Sequence, residues 1–347
     1  MRFLTFFLLA CLLPLVSPLR AAQSSIHNEE TAEAALTELA KVAASSQKAV
    51  LITGASTGIG RMTAELLAEN GFYVYAGARK EKDLADLSAL KNVEGIRLDV
   101  TVEAEIDAAV ATVKKGGRGL YGLINNAGVV VLAPLIEVPE GDLAFQIDVN
   151  VMGPYRVTKA FAPMLIESKG RISTTGSLSG TATWGFGGPY TMSKFAVEAY
   201  TDVLALEMEG FGVTVSVVEP GNFKSKIMAS MKDRLLASGY TAEGSLFEDK
   251  MSRLLSQPLD RSNLMEPGKV AQAFLDFLTD ENPKRRYLVV PNQGEAALTL
   301  NAAFTRLAQQ NRDQEYTFSR EQLIAMLDAA LLAQTPAASV AEQAPTE

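Results

Sequence analysis

The sequence predicts an α/β fold: a doubly wound parallel sheet in a single domain, with a helical lid and a C-terminal helical extension. Three observations predict it. Short apolar runs alternate with helix-length stretches from residue 49 to about residue 290, and repeated strand–helix units give a parallel sheet with helices on both faces. A glycine-rich turn, Gly54-Ala55-Ser56-Thr57-Gly58-Ile59-Gly60, directly follows the first run. The polar residues capable of chemistry fall where the runs end, and open α/β sheets bind ligands outside the C-terminal ends of their strands.

The elements follow in order. Ala49 to Thr53 is a short apolar strand, and a helix-like stretch runs from Arg61 to Asn70 and stops at Gly71. Strand, glycine-rich turn and helix together make a dinucleotide loop credible. The glycines permit a tight turn and close approach to a pyrophosphate at the helix N-terminus. Gly54 to Gly58 also reads as G-x-S-x-G, the nucleophile elbow of hydrolases. The next strand, Phe72 to Gly77, ends in Ala78-Arg79-Lys80. An acid there would bind a ribose 2′-hydroxyl, whereas an arginine accommodates a 2′-phosphate. Arg79 therefore predicts NADP(H), with NAD(H) the alternative. Further units are a helix over Glu81–Leu90, a strand over Val93–Leu98 closed by Asp99, a helix over Val102–Lys115, and a strand over Leu120–Ile124 closed by Asn125-Asn126-Ala127-Gly128. A helical stretch from about Asp142 to Ser168 contains Asn150, Gly153 and Pro154, which together predict a kink. Arg171–Thr175 is a strand that delivers Ser177. Tyr190–Phe211 is a helix, and Val213–Val218 is a strand that ends in Glu219-Pro220-Gly221-Asn222. A helix over Pro267–Leu278, a last strand over Arg286–Val290, and helices over Glu295–Gln309 and Arg320–Ala333 complete the pattern.

Composition removes several classes of function. The chain has 347 residues, 48% of them apolar, enough for a sizeable core. A net charge of -8 without a basic patch argues against nucleic acid as a partner. The single cysteine and single histidine, Cys11 and His27, lie near the N-terminus. The folded body therefore lacks the ligands for a zinc site, and no metal is expected. It also lacks the histidine base of a Ser-His-Asp hydrolase, which removes the elbow reading, and one cysteine permits no intrachain disulfide.

Ser177, Tyr190 and Lys194 carry the chemistry. A tyrosine and a lysine four apart share one helix face. An ammonium beside a phenol favours the phenolate, so the Tyr190 pKa is expected to fall, and a phenol titrating nearer neutrality is a usable general acid/base. The Ser177 hydroxyl is placed to polarise a carbonyl.

TGASTGIG, Asp99, NNAG, Asn150, Ser177, YTMSK and EPGN occur here in the order and spacing of the short-chain dehydrogenase/reductase family, which the chain resembles over about residues 48–290. The resemblance implies a Rossmann-type fold and hydride transfer between a nicotinamide cofactor and an alcohol or carbonyl. It places Gly54, Ser56, Gly58, Ile59 and Gly60 around the cofactor's diphosphate and ribose, and Arg79 at the 2′-phosphate. Asp99 and Val100 would border the adenine, and Asn126, Ala127 and Gly128 would support the adenosine side. Pro220, Gly221 and Phe223 would border the nicotinamide. Tyr190 would be the acid/base, with Lys194 lowering its pKa and binding the nicotinamide ribose. Ser177 would hold the substrate oxygen, and Asn150 would position a water in a proton relay. The sequence departs from many relatives at residue 225, a serine where threonine is common, and at residue 57, a threonine where some NADP-preferring members carry a base. A non-catalytic dinucleotide sensor and a nucleotide-sugar epimerase or dehydratase are the alternatives on this fold.

Residues 223–262 occupy the position of the family's substrate lid and mix apolar residues with charges at helical spacing. Trp184, Phe186 and Met192 flank Tyr190, and the EPGNFKSK phrase is similar to members acting on steroids and retinoids. A bulky apolar alcohol or carbonyl is the expected substrate; core packing or dimer contact is the other reading of these residues. Homodimers or homotetramers are expected by analogy. The catalytic domain is expected over 48–292, the helical extension over 293–334 and a disordered tail over 335–347. Residues 3–16 form an apolar run after Met1-Arg2, followed by small residues through Ala22. That is the layout of a signal peptide, or of an anchor if uncleaved. Export or membrane association is thus expected, with a cytoplasmic enzyme if the segment is not used. Residues 23–47 read as a linker, with a short amphipathic helix over Thr31–Ala44.

Overall fold

The computed structural model describes residues 47–237, 239–257 and 261–334. The expectations for 1–22, for nearly all of 23–47 and for 335–347 lie outside the described residues. Seven strands form one parallel sheet: β1 (Ala49–Ile52), β2 (Tyr73–Ala78), β3 (Val93–Arg97), β4 (Gly122–Asn125), β5 (Arg171–Thr175), β6 (Thr214–Pro220) and β7 (Arg286–Val289). Their order is β3-β2-β1-β4-β5-β6-β7. The chain starts in the middle, runs to one edge, then returns beside β1 and runs to the other. The order reverses between β1 and β4, which opens a crevice at their C-terminal ends.

Both faces of the sheet are covered, so its strands read as continuous apolar runs. Alternation of side chains sorts β1 between the faces. Val50 and Ile52 join a core with α1 (Gly58–Glu69) and α9 (Gly268–Thr279), through Ala64, Leu67, Val270, Phe274 and Phe277. Ala49 and Leu51 join the opposite core, formed with α3 (Glu103–Gly116), α5 (Gly153–Glu167) and α6 (Gly188–Glu209). That second core contains Ile106, Val113, Val157, Phe161 and Met208. Each such side chain contributes about 1.5–3 kcal/mol when fully buried. The short helix α2 (Glu81–Ser88) connects β2 to β3.

The kink expected in the long helix is a change of winding. α4 (Glu140–Ile147) passes into π-type turns over Asp148–Met152 and then into α5, with Pro154 at the junction, where it offers no N–H to the carbonyls of the preceding turn. The wide turn places Asn150 inside the fold, as π segments often do at functional positions. Gly153 is required there: a Cβ would lie 2.6 Å from Val100 Cγ2.

The segment expected to form the lid comprises α7 (Ile227–Ala237) and α8 (Glu248–Ser256). It is pinned by the Arg234–Asp142 ion pair at 2.7 Å and by Glu137, which accepts from Ser245 Oγ at 2.6 Å and Leu246 N at 2.8 Å. The C-terminal extension is α10 (Gln293–Asn311) and α11 (Arg320–Ala333). α10 packs on the domain: Arg306 donates to the Thr181 carbonyl at 3.1 Å and stacks over Phe195. α11 opens on a Ser319/Gln322 capping box and buries none of its residues. Among the described residues no helix is long and apolar enough to cross a membrane.

Candidate active site

The turn after β1 is built around Thr53 and Asn126. Thr53 Oγ1 accepts from the backbone N–H of both Asn126 and Ala127, each at 3.0 Å. Asn126 Nδ2 returns bonds to the carbonyls of Thr53 (3.1 Å) and Gly54 (3.0 Å). The loops after β1 and β4 are thereby locked across the crevice. Gly54 takes φ +66°, and a Cβ on it would lie 2.8 Å from Ala127 Cα. A Cβ on Gly60 would come within 2.4 Å of both Asn126 Nδ2 and the Gly54 carbonyl. The first turn of α1 holds no acidic residue, and Thr57 makes no side-chain cap. Its N–H groups and positive dipole end are therefore free for an anion. Ser56, Gly58 and Ile59 are only partly buried beside them. A flat cradle with an uncapped helix start fits a dinucleotide's pyrophosphate.

At the end of β2, Arg79 is 64% exposed and its Nη1 lies 3.5 Å from Asp99 Oδ2. Burial acts to raise the Asp99 carboxyl, but hydrogen bonds from Thr101 and the Arg79 charge outweigh it and hold the group below its ordinary value. Val100 is buried, and Gly128 is exposed. Pro220 and Gly221 close β6, with Gly221 N donating to the Val289 carbonyl at 2.8 Å. Glu295 of α10 accepts from Asn222 N at 2.8 Å and holds this loop from outside. Phe223 differs from expectation: its side chain is 2% exposed and belongs to the core formed with α1 and α9. Only its backbone remains to border a cofactor.

Ser177, Tyr190 and Lys194 come together. Ser177 follows β5; its hydroxyl accepts from Ser179 N at 3.1 Å and lies near enough to the Tyr190 phenol to favour its ionised form. Tyr190 and Lys194 lie on one face of α6, with the Lys194 Nζ 5.6 Å from the phenol ring centre. The electrostatics correct the expected fall in the Tyr190 pKa. Burial pushes the phenol above its ordinary 10.0, while Ser177 and the Arg261 charge pull the other way. Lys194 instead gives its ammonium to the Thr175 carbonyl at 2.7 Å. Burial brings its pKa down to about 8, opposed by Glu198.

Asn150 is fixed by three side-chain hydrogen bonds. Its Oδ1 accepts from Val129 N at 2.8 Å, and its Nδ2 donates to the Val129 carbonyl (3.0 Å) and Ser193 Oγ (3.1 Å). Both amide protons are used within the protein, so the side chain ties the segment after β4 to α6. Ser193 Oγ in turn donates to the Tyr190 carbonyl at 2.7 Å. Gln146 reinforces this link, accepting from Val131 N at 2.6 Å.

Apolar side chains of α7 and α8 pack against Tyr190. Val130, Leu132, Met231 and Leu235 form a buried cluster, against which Tyr190, Met228 and Leu254 pack. Trp184 and Met192 are exposed at the rim. Among the described residues no group of three or more His, Cys, Asp or Glu side chains is arranged to hold a metal ion.

Sequence reasoning did not single out Thr53, Gln146, Ser193 or Arg261. Thr53, the last residue of the expected first strand, and Ser193, next to Lys194, had readable positions. Gln146 and Arg261 carry no local signal.

A family model described as short chain dehydrogenase matches residues 48–235. A 3-amino-tetrahydro-pyrrolizinone reductase from Xenorhabdus hominickii is 37% identical over 255 residues, covering 70% of this chain and 87% of the relative. Retinol dehydrogenase 7 of Mus musculus is 37% identical over 241 residues, covering 67% and 73%. The crystal structure of a short-chain dehydrogenase from Streptomyces avermitilis superposes with a TM-score of 0.63 at 28% identity, covering 76% of this chain and 94% of that one.

Proposed function

Because the chain belongs to the short chain dehydrogenase family, its general activity is that of an oxidoreductase of alcohols and carbonyls using a nicotinamide dinucleotide, and we propose that it is an NADP(H)-dependent enzyme acting on a bulky apolar substrate with Tyr190 as general acid/base. One observation carries the proposal: Ser177, close enough to act on the Tyr190 phenol, and buried Lys194, one helical turn from Tyr190, gather where the apolar cluster of residues 130–132 and 227–255 packs on Tyr190.

The residues divide the work. Gly54 and Gly60 let the loop after β1 close on Asn126 and Ala127, and the N–H groups opening α1 would bind the pyrophosphate's charge. Arg79 is exposed at the end of β2, where a 2′-phosphate would lie and would compete with Asp99, 3.5 Å away, for its charge. The bound dinucleotide supplies or accepts the hydride. Ser177 holds the substrate oxygen. Tyr190 gives that oxygen a proton in reduction and removes one in oxidation. A phenol held above its ordinary value is protonated at neutral pH, so the site is charged with its acid for carbonyl reduction. Lys194, braced by Thr175, keeps a positive charge beside the developing oxyanion. The lid excludes water and favours apolar bulk, and the name of the retinol dehydrogenase relative supports that substrate class.

Arg261 favours a second reading, an apolar substrate that carries an acid group. It is half-buried, donates to Asn222 Oδ1 at 3.3 Å, and its charge acts on Tyr190. An exposed apolar strip on α5 and α6, with Tyr155, Val203 and Leu206, is where a homodimer or homotetramer would form, testable by light scattering. Residues 1–22 would export or anchor the chain, and sequencing the mature N-terminus tests that.

The deciding experiment titrates NADPH and NADH by fluorescence, then assays apolar ketones and alcohols, with and without a carboxylate, using the wild type and Tyr190→Phe. Tighter NADPH binding, turnover on apolar substrates and loss of turnover without loss of binding in Tyr190→Phe are the expected results. Turnover that survives in Tyr190→Phe removes the acid/base assignment, and binding of neither cofactor removes the reading.

A further inference from the structure

Behind the proposed site lies a pair of buried carboxyls that the reaction does not use directly. Glu198 follows Lys194 by one turn on the same face of α6, and Glu219 is the penultimate residue of β6. Their side chains are 13% and 7% exposed. Arg286 of β7 is shared between them: its Nε lies 3.2 Å from Glu198 Oε2 and 3.5 Å from Glu219 Oε1. Its Nη2 is spent on Asp202 Oδ2 at 2.6 Å, and Asp202 also lies 3.9 Å from Arg285. One N–H cannot fully satisfy two carboxylates. The buried Glu198 Oε1 accepts from no fixed donor. It is packed against the segment that carries Ser177: a Cβ would come within 2.9 Å of this oxygen at Gly176 and within 2.8 Å at Gly180.

We propose that Glu198 and Glu219 share a single proton, and that this protonated pair is a positioning unit for Ser177 and Lys194. A proton on Glu219, donated to Glu198, removes one of two buried like charges and can give the orphaned oxygen its donor. The titration directions agree. Burial, then the Glu198 charge, raises Glu219 to about 8, against the pull of Arg286. Burial also raises Glu198, with the Glu219 hydrogen bond and Arg286 opposing. The charges facing the pair are Arg286 on β7, Asp202 and Lys194 on α6, and Arg285 beyond Asp202. With the proton in place, Glu198 is the single anion that steadies Lys194, and the glycine-flanked Ser177 segment closes on an uncrowded carboxyl. Without it, two carboxylates repel beneath that segment and displace Ser177 from Tyr190. The functional half rests on the proposed roles of those residues; the protonation itself does not.

Isotope-edited infrared spectroscopy of the full chain, labelled with 13C-glutamate, tests it. The wild type is expected to show a protonated-carboxyl C=O band at pH 6.5 that is gone at pH 9.5 and absent from Glu219→Gln at either pH. No such band in the wild type at pH 6.5 overturns the proposal whether or not the protein has activity. Glu219→Gln keeps a donor and cannot ionise. It should retain turnover at pH 7 and lose about tenfold by pH 9, from Lys194 alone, where the wild type, with Lys194 and Glu219 both deprotonating near 8, loses about a hundredfold. An unchanged alkaline limb in Glu219→Gln sinks the positioning role. Should that variant not fold, Glu198→Gln decides: with the charged neighbour gone, the band must titrate at a lower pH, and an unmoved midpoint refutes the shared proton.

Discussion

Gly60→Ala is the sharpest single perturbation of the nucleotide cradle. The added carbon would lie 2.4 Å from Asn126 Nδ2, 2.4 Å from the Gly54 carbonyl and 3.1 Å from Ala55 Cα. Two of these contacts are backbone, so the amide of Asn126 must give way. It would leave the Thr53 and Gly54 carbonyls, now bonded at 3.1 and 3.0 Å. Each lost bond costs about 1 kcal/mol, and forced repacking costs about 1–3 kcal/mol, so unfolding free energy should drop by about 3–5 kcal/mol. The loops after β1 and β4 would also separate, and dinucleotide affinity should fall at least tenfold. Urea unfolding followed by circular dichroism reads the first quantity, and NADPH fluorescence titration reads the second. Gly141→Ala is the control, since nothing lies within 4 Å of its Cβ position; it should bind normally and be as stable as the wild type. If Gly60→Ala unfolds and binds like that control, the close approach of Gly60 to Asn126 does not shape the cradle.

Three further predictions follow from the same geometry. Thr53→Val removes the acceptor of two backbone N–H groups at a buried position and should destabilise by about 1–3 kcal/mol in the same unfolding assay; a change below 0.5 kcal/mol contradicts the lock. Arg79→Ala should weaken NADPH about tenfold, a modest figure for an exposed guanidinium, and leave NADH untouched; equal losses for both cofactors assign Arg79 to something other than the 2′-phosphate. Lys194 titrates at about 8 in the native state against an ordinary 10.5, so the native protein binds fewer protons than the unfolded chain across that window. Its contribution to stability therefore rises with pH from about 8 to 10.5, and Lys194→Met should flatten that rise in the difference between the two unfolding curves; equal slopes refute the burial shift.

What the sequence disclosed and what it hid divide along physical lines. The sheet was legible because its strands are buried on both faces and stand out as apolar runs such as AVLI between glycine and helix. Gly54, Gly60, Ser177, Tyr190 and Lys194 were legible because backbone conformation and helical spacing are local properties. Asn150 and Phe223 were named by pattern, but where their side chains pack was not legible, because orientation depends on partners distant in sequence: Val129 and Ser193 for one, the core of α1 and α9 for the other. The tyrosine titration was misread for the same reason. A four-residue spacing says that a lysine and a phenol share a helix face, but not that the ammonium is already held by Thr175 on β5. Burial, a property of the whole fold, then sets the sign. Glu198 is the instructive case, since it continues the Tyr190–Lys194 face by one more turn and was readable as far as its position. Its charge state was not, because that depends on Glu219 and Arg286, which the sheet brings in from 21 and 88 residues away. Local spacing therefore locates the groups at this site, while the proton each carries is decided by neighbours that only the folded sheet supplies.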